Sequence, residues 1–169
     1  MELLHWQQQP ILQGKVSLKI RHRIISGGME GEVRVWKVGK TTQVMEASLK
    51  EHRSRVYDVQ VNKDNSQAVT ASADGSCIVW DLNTFTRSIC LFEKTMFKQV
   101  LYHPGESQVL TTGSDRKIAY WDIFDGQQIR GIEASEGEIN ALGFVYISDM
   151  IITKIGAITT SYREERTKY

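Results

Sequence analysis

His52, Thr70 and Asp74 bring together an imidazole, a hydroxyl and a carboxylate, the three group types of a nucleophilic hydrolase relay. In that chemistry the imidazole takes the hydroxyl proton while the carboxylate orients the ring, and a substrate must be able to reach the hydroxyl. Trp80 stands ten residues after Thr70, at the end of the apolar run "CIVW", and it changes the question. An indole N–H only donates, so burying it requires an acceptor, and a hydroxyl oxygen upstream can serve.

The arrangement recurs along the chain. Tryptophans end "ISGGMEGEVRVW" at 36, "TASADGSCIVW" at 80 and "TTGSDRKIAYW" at 121, with spacings of 44 and 41. Ten residues before each is a hydroxyl, Ser26, Thr70 or Thr111, and six before is an acid, Glu30, Asp74 or Asp115. The positions one and three before are Val35 and Val33, Val79 and Cys77, Tyr120 and Ile118, the period-two pattern of a strand. Around Trp80 the sequence predicts strands at 56–61, 67–72, 76–81 and 87–92, with turns at "NKDNS" and "ADG". Gly75 can take positive φ in the second turn without a Cβ clash. The same order is predicted over residues 97–132, so each unit of about forty residues makes one four-stranded antiparallel sheet.

With three copies at constant internal offsets, these units resemble WD repeats of the β-propeller family, "IVWD" and "AYWD" carrying the signature dipeptide. The resemblance implies a buried network in which a histidine, a hydroxyl and an acid stand 28, 10 and 6 residues before the tryptophan. For Trp80 these are His52, Thr70 and Asp74, a complete set. Trp121 has Thr111 and Asp115 but Glu93 at the histidine position, and Trp36 has Ser26 with Glu30 but Gln8 there. The middle unit is therefore expected to be the most rigid. A set that returns with the repeat, with its threonine buried against an indole, leaves a substrate no entrance, so the hydrolase reading fails.

The fold expected is all-β: a partial WD-repeat β-propeller of about three four-stranded antiparallel blades plus part of a fourth, its ring not closed. Residues 1–21 form an unmatched N-terminal segment, 22–148 the propeller segment and 149–169 a divergent tail. Trp6 lacks the upstream acid, "GEINALGF" at 137–144 reads as the first strand of a fourth blade, and no tryptophan follows. Three blades and pieces fall short of the four to eight that close a ring, so the chain reads as part of a larger propeller, marginally stable alone.

Lysine and arginine number 21 against 20 acids, for a net charge of +1, which supplies no field for nucleic acid or an anionic membrane. Cys77 and Cys90 lie within apolar stretches without metal-ligand spacing and read as buried free thiols. There is no apolar run of 18 residues, and the first residues lack the basic region and apolar core of a secretory signal, so the chain reads as intracellular. "GKTT" at 39–42 resembles the end of a phosphate loop, but Arg34 stands where that loop needs glycine. His5, His22, His52 and His103 are too dispersed for a zinc set. No cofactor, metal ion or small-molecule substrate is expected.

The strings "RIISGGMEGEVRVWKVGK", "VTASADGSCIVWDL" and "TGSDRKIAYWDIFDG" are similar, over roughly 23–144, to cilia- and flagella-associated WD-repeat proteins of doublet microtubules. That resemblance implies a non-catalytic scaffold in the axoneme of motile cilia, contacting tubulin and neighbouring inner proteins. The alternative is a cytosolic adaptor gripping peptides at its loop face. The family's arginine three places after the tryptophan, linked to docking on ubiquitin-ligase scaffolds, is replaced by Gly39, Asn83 and Phe124. Exposed turn positions expected to touch a partner are Met29, Glu30, Lys63, Arg116 and Lys117.

Overall fold

A computed structural model of the chain describes residues 16–18, 23–134, 136–145, 150–155 and 158–163; His5, Trp6, Gln8 and His22 lie outside them. The described residues form strands and turns without a helix. In chain order the strands are β1 (Val16–Leu18), β2 (Arg23–Gly27), β3 (Val33–Val38), β4 (Gln43–Leu49), β5 (Val56–Val61), β6 (Gln67–Ser72), β7 (Ser76–Asp81) and β8 (Thr86–Phe92). There follow β9 (Phe97–Tyr102), β10 (Gln108–Gly113), β11 (Lys117–Asp122), β12 (Gln128–Glu133), β13 (Ala141–Val145), β14 (Met150–Ile155) and β15 (Ile158–Arg163). They pair in chain order as four antiparallel sheets, β1 to β4, β5 to β8, β9 to β12 and β13 to β15.

Both ends hold more strand than the tryptophan spacing suggested. β1 lies within 1–21 and completes the first sheet, and the boundary at 148 falls between β13 and β14 of a single sheet. β1 is three residues long, too short to show a period, and "MIITKI" and "ITTSYR" carry β-branched residues but no tryptophan to align on.

Consecutive sheets pack face to face through their inner strands, β1 and β2 on β5, β5 on β9 and β9 on β13, whereas among the described residues the first and fourth sheets make no comparable contact. The ring is open. In the second and third sheets, period-two alternation sends the side chains of the middle strands into two different cores. Ile78 and Trp80 of β7 face the first sheet with Ile25, Val33, Val35 and Leu49. Cys77 and Val79, on the opposite side, join Phe97, Val100, Val109 and Trp121 of the third sheet. A third core holds Leu110, Ile118 and Tyr120 against Ile139 and Leu142. Hence "CIVW" reads as a continuous apolar run: both faces of this strand are buried. Cys77 is buried as its sequence context suggested, but Cys90 lies exposed on the outer strand β8, where the sheet has no neighbour on that side.

Turn chemistry sets the hairpins. Gly75 has φ +87°, and a Cβ there would stand 2.6 Å from the Glu93 carbonyl oxygen, so the position demands glycine twice over. Gly31 takes φ +84° at the equivalent place in the first sheet, while the third sheet puts Arg116 there at φ +66°.

Candidate functional site

Strands β6 and β7 pair with Ala68 opposite Trp80 and Thr70 opposite Ile78, which places Thr70 and Trp80 diagonally on one face. The register shifts between Val79 and Trp80 on the β8 side, and the same irregularity precedes Trp36 and Trp121. In each sheet the indole N–H donates to the hydroxyl ten residues earlier: Trp36 to Ser26 at 3.1 Å, Trp80 to Thr70 at 2.9 Å and Trp121 to Thr111 at 2.8 Å. Trp80 is 1% exposed and Trp121 4%, each covered by the preceding sheet. Trp36 is half-buried, and among the described residues no sheet packs on its face.

His52, in the segment joining β4 to β5, closes the set around Trp80. Its Nε2 lies 2.6 Å from Thr70 Oγ1, and its Nδ1 lies 2.8 Å from Ser76 Oγ and 3.4 Å from Asp74 Oδ2. The Ser76 hydroxyl donates to Asp74 Oδ1 at 2.6 Å, and the Arg53 and Ser76 amides donate to the same carboxylate at 2.7 and 2.9 Å. With the Thr70 proton given to the nearer Nε2 rather than to the Ile78 carbonyl oxygen at 3.3 Å, the set runs in one direction: indole to threonine, threonine to Nε2, Nδ1–H to Ser76 and serine to aspartate. That order requires a neutral imidazole. Burial pushes the His52 pKa below its ordinary value, against the pull of Asp74. Burial alone would raise the Asp74 pKa, but the hydrogen bonds from Ser76 and Arg53 outweigh it and the carboxyl stays below its ordinary range. The imidazole meets the indole edge-on at 6.2 Å and 75°.

Ser76 is the member that sequence reasoning missed. The histidine and aspartate are joined chiefly through its hydroxyl, and the signal was there in its place two residues after the turn aspartate. The third sheet fills the same space differently. Phe97 meets Trp121 edge-on at 6.3 Å and 78°, and Glu93 is exposed. Among the described residues the Asp115 carboxylate accepts only from the Lys117 amide, at 3.4 Å, while its own amide donates to Thr95, whose hydroxyl lies 3.2 Å from that of Ser114. In the first sheet Glu30 pairs with Arg34 at 3.0 Å.

A second recurring link was also missed. Asp58, fully buried on β5, accepts from the Val100 amide of the next sheet at 3.3 Å, and Gln99, its counterpart 41 residues on, accepts from the Leu142 amide at 2.6 Å. β5 and β9 thus each hold a backbone donor of the next sheet.

Of the five expected contact positions, Met29, Glu30, Arg116 and Lys117 sit at the end of the sheets that carries the β2–β3, β6–β7 and β10–β11 turns. Met29 and Lys117 are exposed, and Arg116 donates to the Glu136 carbonyl at 3.4 Å. Lys63 is at the opposite end, in the β5–β6 turn, because an antiparallel meander alternates its turns between two ends. Its ammonium donates to the Pro104 carbonyl at 2.5 Å and its amide to Glu106 at 2.6 Å, tying the second sheet to the third. The five therefore do not form one surface. Among the described residues no cluster of histidine, cysteine and acids could hold a metal ion, and no helix is long and apolar enough to cross a membrane.

Residues 43–81 match the family model of the WD domain, G-beta repeat. Over 121 residues the chain is 54% identical to Cilia- and flagella-associated protein 52 of Mus musculus, an alignment covering 71% of this chain and 20% of that protein. The protein of the same name from Chlamydomonas reinhardtii is 53% identical over 110 residues, covering 64% of this chain and 18% of that one. The chain thus spans about a fifth of the length of the curated relatives it matches. Among solved structures, a chain of the Mitotic Checkpoint Complex superposes with a TM-score of 0.80 at 19% identity, covering 89% of this chain and 49% of that chain. The computationally designed Ika4 protein does so with a TM-score of 0.77 at 19% identity, covering 90% and 92%. At that identity these two share the fold alone.

Proposed function

We propose, from the premise that this is a WD-repeat chain with a partial β-propeller fold, that it is a non-catalytic scaffold of motile cilia and flagella. In this reading it lies in the axoneme, binds tubulin and neighbouring inner proteins of the doublet, and stabilises the doublet microtubule. The observation that carries the reading is the identity of more than half with cilia- and flagella-associated proteins, over 121 residues for that of Mus musculus and over 110 for that of Chlamydomonas reinhardtii. The chemistry of the repeats agrees with it. The hydrogen bonds of Thr70 go to Trp80, His52 and the Ile78 carbonyl, those of His52 to Thr70 and Ser76, and Thr70 is fully buried, so neither group is left to act on a substrate. What the sheets offer instead is rigidity: turns held at fixed spacing, able to meet a repeating partner lattice.

Co-sedimentation tests the reading. The purified chain, mixed with salt-washed doublet microtubules, should pellet with them and resist moderate salt. A chain that stays in the supernatant, while capturing a soluble peptide or a ligase subunit, would be an adaptor. A tagged chain expressed in ciliated cells should concentrate along the axoneme, and diffuse cytosolic signal would contradict the assignment.

A further inference from the structure

Along β3 burial alternates: Val33 and Val35 are closed against the second sheet, while Arg34 and Trp36 are half-open. Cys77 through Trp80 of β7, by contrast, are buried on both faces. Trp36 thus has the hydroxyl bond of Trp80 and Trp121 but, among the described residues, not the sheet that covers them. Met45, opposite Trp36 on β4, is 49% exposed. The residues opposite Trp80 and Trp121 on the outer strands are the polar Arg87 and Gln128, so the uncovered sheet carries the more apolar rim. Arg34 stands in the place of Ile78 and Ala119 on that face. It is held by Glu30 and Glu32, and Lys50 lies 3.4 Å from Glu32, so two cations meet two acids and the set can be covered as a neutral group.

The fourth sheet is open in the complementary sense. In the seams around Trp80 and Trp121 the tryptophan face of one sheet receives the opposite face of the sheet before it, and β9 on β13 continues the row. Among the described residues the first sheet therefore has a tryptophan face with no sheet before it, and the fourth a far face with no sheet after it. The two faces differ in kind, so each fits the other on a different copy and neither fits itself.

We propose that a second copy of the chain covers Trp36 with its fourth sheet and receives the same cover in return, two copies closing a ring of eight sheets. Eight is a number at which such rings close. Area favours the closed pair over an open row. A face of three or four strands, most of five or six residues, measures roughly 300–400 Å². Two seams then take about 1,200–1,600 Å² from water, the size of a stable interface, whereas one takes about 600–800 Å², the size of a chance contact. The closed pair gains both seams for a single loss of translational freedom. Dissociation bares Trp36 without opening a core, so its N–H still exchanges ahead of those of Trp80 and Trp121. The inference stands apart from the ciliary reading, and each holds or fails without the other.

The test is sedimentation velocity of the full chain from about 1 to 200 µM. The mass should rise from one chain to two and stop there. Met45→Glu sets a charge on the covered rim and should weaken association about tenfold or more. Phe124→Glu, on the exposed β11–β12 turn of the third sheet, lies on neither open face and should change it less than about twofold. Tryptophan emission should move to shorter wavelength as the chain is concentrated, and Trp36→Phe should remove that shift, because Trp80 and Trp121 are already covered. Thermal unfolding is followed for each variant, and should Met45→Glu unfold, the emission of Trp36→Phe against wild type decides. A chain that stays single throughout, a mass that climbs past two copies, or a pair that survives Met45→Glu with no change in emission overturns the proposal.

Discussion

The second and third sheets both bury a tryptophan whose N–H meets a hydroxyl ten residues earlier, yet they close the turn above it by different means. In the second, His52, Ser76 and Asp74 continue the hydrogen-bond chain to the turn. In the third, Phe97 supplies the edge contact to the indole, and Thr95 with Ser114 ties the turn. The indole–hydroxyl pair is therefore the constant part of the repeat, because a buried indole always needs an acceptor. The histidine is an elaboration, and an apolar ring can take its space.

The largest effect should separate the three tryptophans. Trp80→Ala and Trp121→Ala each empty a closed core and should cost about 3–5 kcal/mol, whereas Trp36→Ala, at a half-buried site, should cost about 1–2 kcal/mol. Urea unfolding followed by circular dichroism reads the order, and an equal loss at Trp36 would break the link between burial and the preceding sheet.

Thr70→Val and Thr111→Val probe the difference between the networks. The first strands both an indole N–H and His52 Nε2 and should cost about 3 kcal/mol, the second strands one indole N–H and should cost about 1–2 kcal/mol. Equal costs by the same urea measurement would mean that the histidine contributes nothing.

The networks should also differ in their response to acid. His52 has a folded pKa below that of the unfolded chain, where it protonates near about 6.5. The unfolded state thus binds the extra proton, and the stability from this group is complete above that pH and lost as pH falls from there toward the folded pKa. Unfolding midpoints measured across that window should decline for the wild type and decline less for His52→Gln. Parallel declines would remove His52 as the cause.

The turns should give the smallest gain and a loss of opposite sign. Arg116 holds a left-handed conformation that Gly31 and Gly75 occupy in the other sheets. Arg116→Gly should raise stability by up to about 1 kcal/mol, the relief of strain being partly offset by a freer unfolded chain, while Gly75→Ala should lower it by about 1–3 kcal/mol. Differential scanning calorimetry of both variants reads the opposite signs.

Much of this was legible in the sequence because it repeats. The spacings of 44 and 41, the hydroxyl at minus ten and the alternation before each tryptophan give the sheets and the indole acceptors, since burial at a fixed place in a repeat imposes the same residue types each time. What depends on contacts between repeats was not legible. Ser76 lies between two residues that were picked out, Asp58 and Gln99 differ in type while doing the same job, and Phe97 substitutes for a histidine from a different position in the repeat. Lys63 was grouped with residues at the other end because a turn's polarity does not reveal which end of the sheet it closes. β1, β14 and β15 escaped because they carry no tryptophan.

Exchange of the three indole protons with deuterated water, followed by NMR on tryptophan-labelled chain, tests the account most directly. Each N–H held by a hydroxyl inside a closed core must wait for that core to open. The Nε1–H of Trp80 should exchange slowest, that of Trp121 somewhat faster and that of Trp36 fastest of the three. A Trp80 proton exchanging as fast as that of Trp36 would contradict the claim that buried, hydroxyl-bonded indoles hold these sheets together.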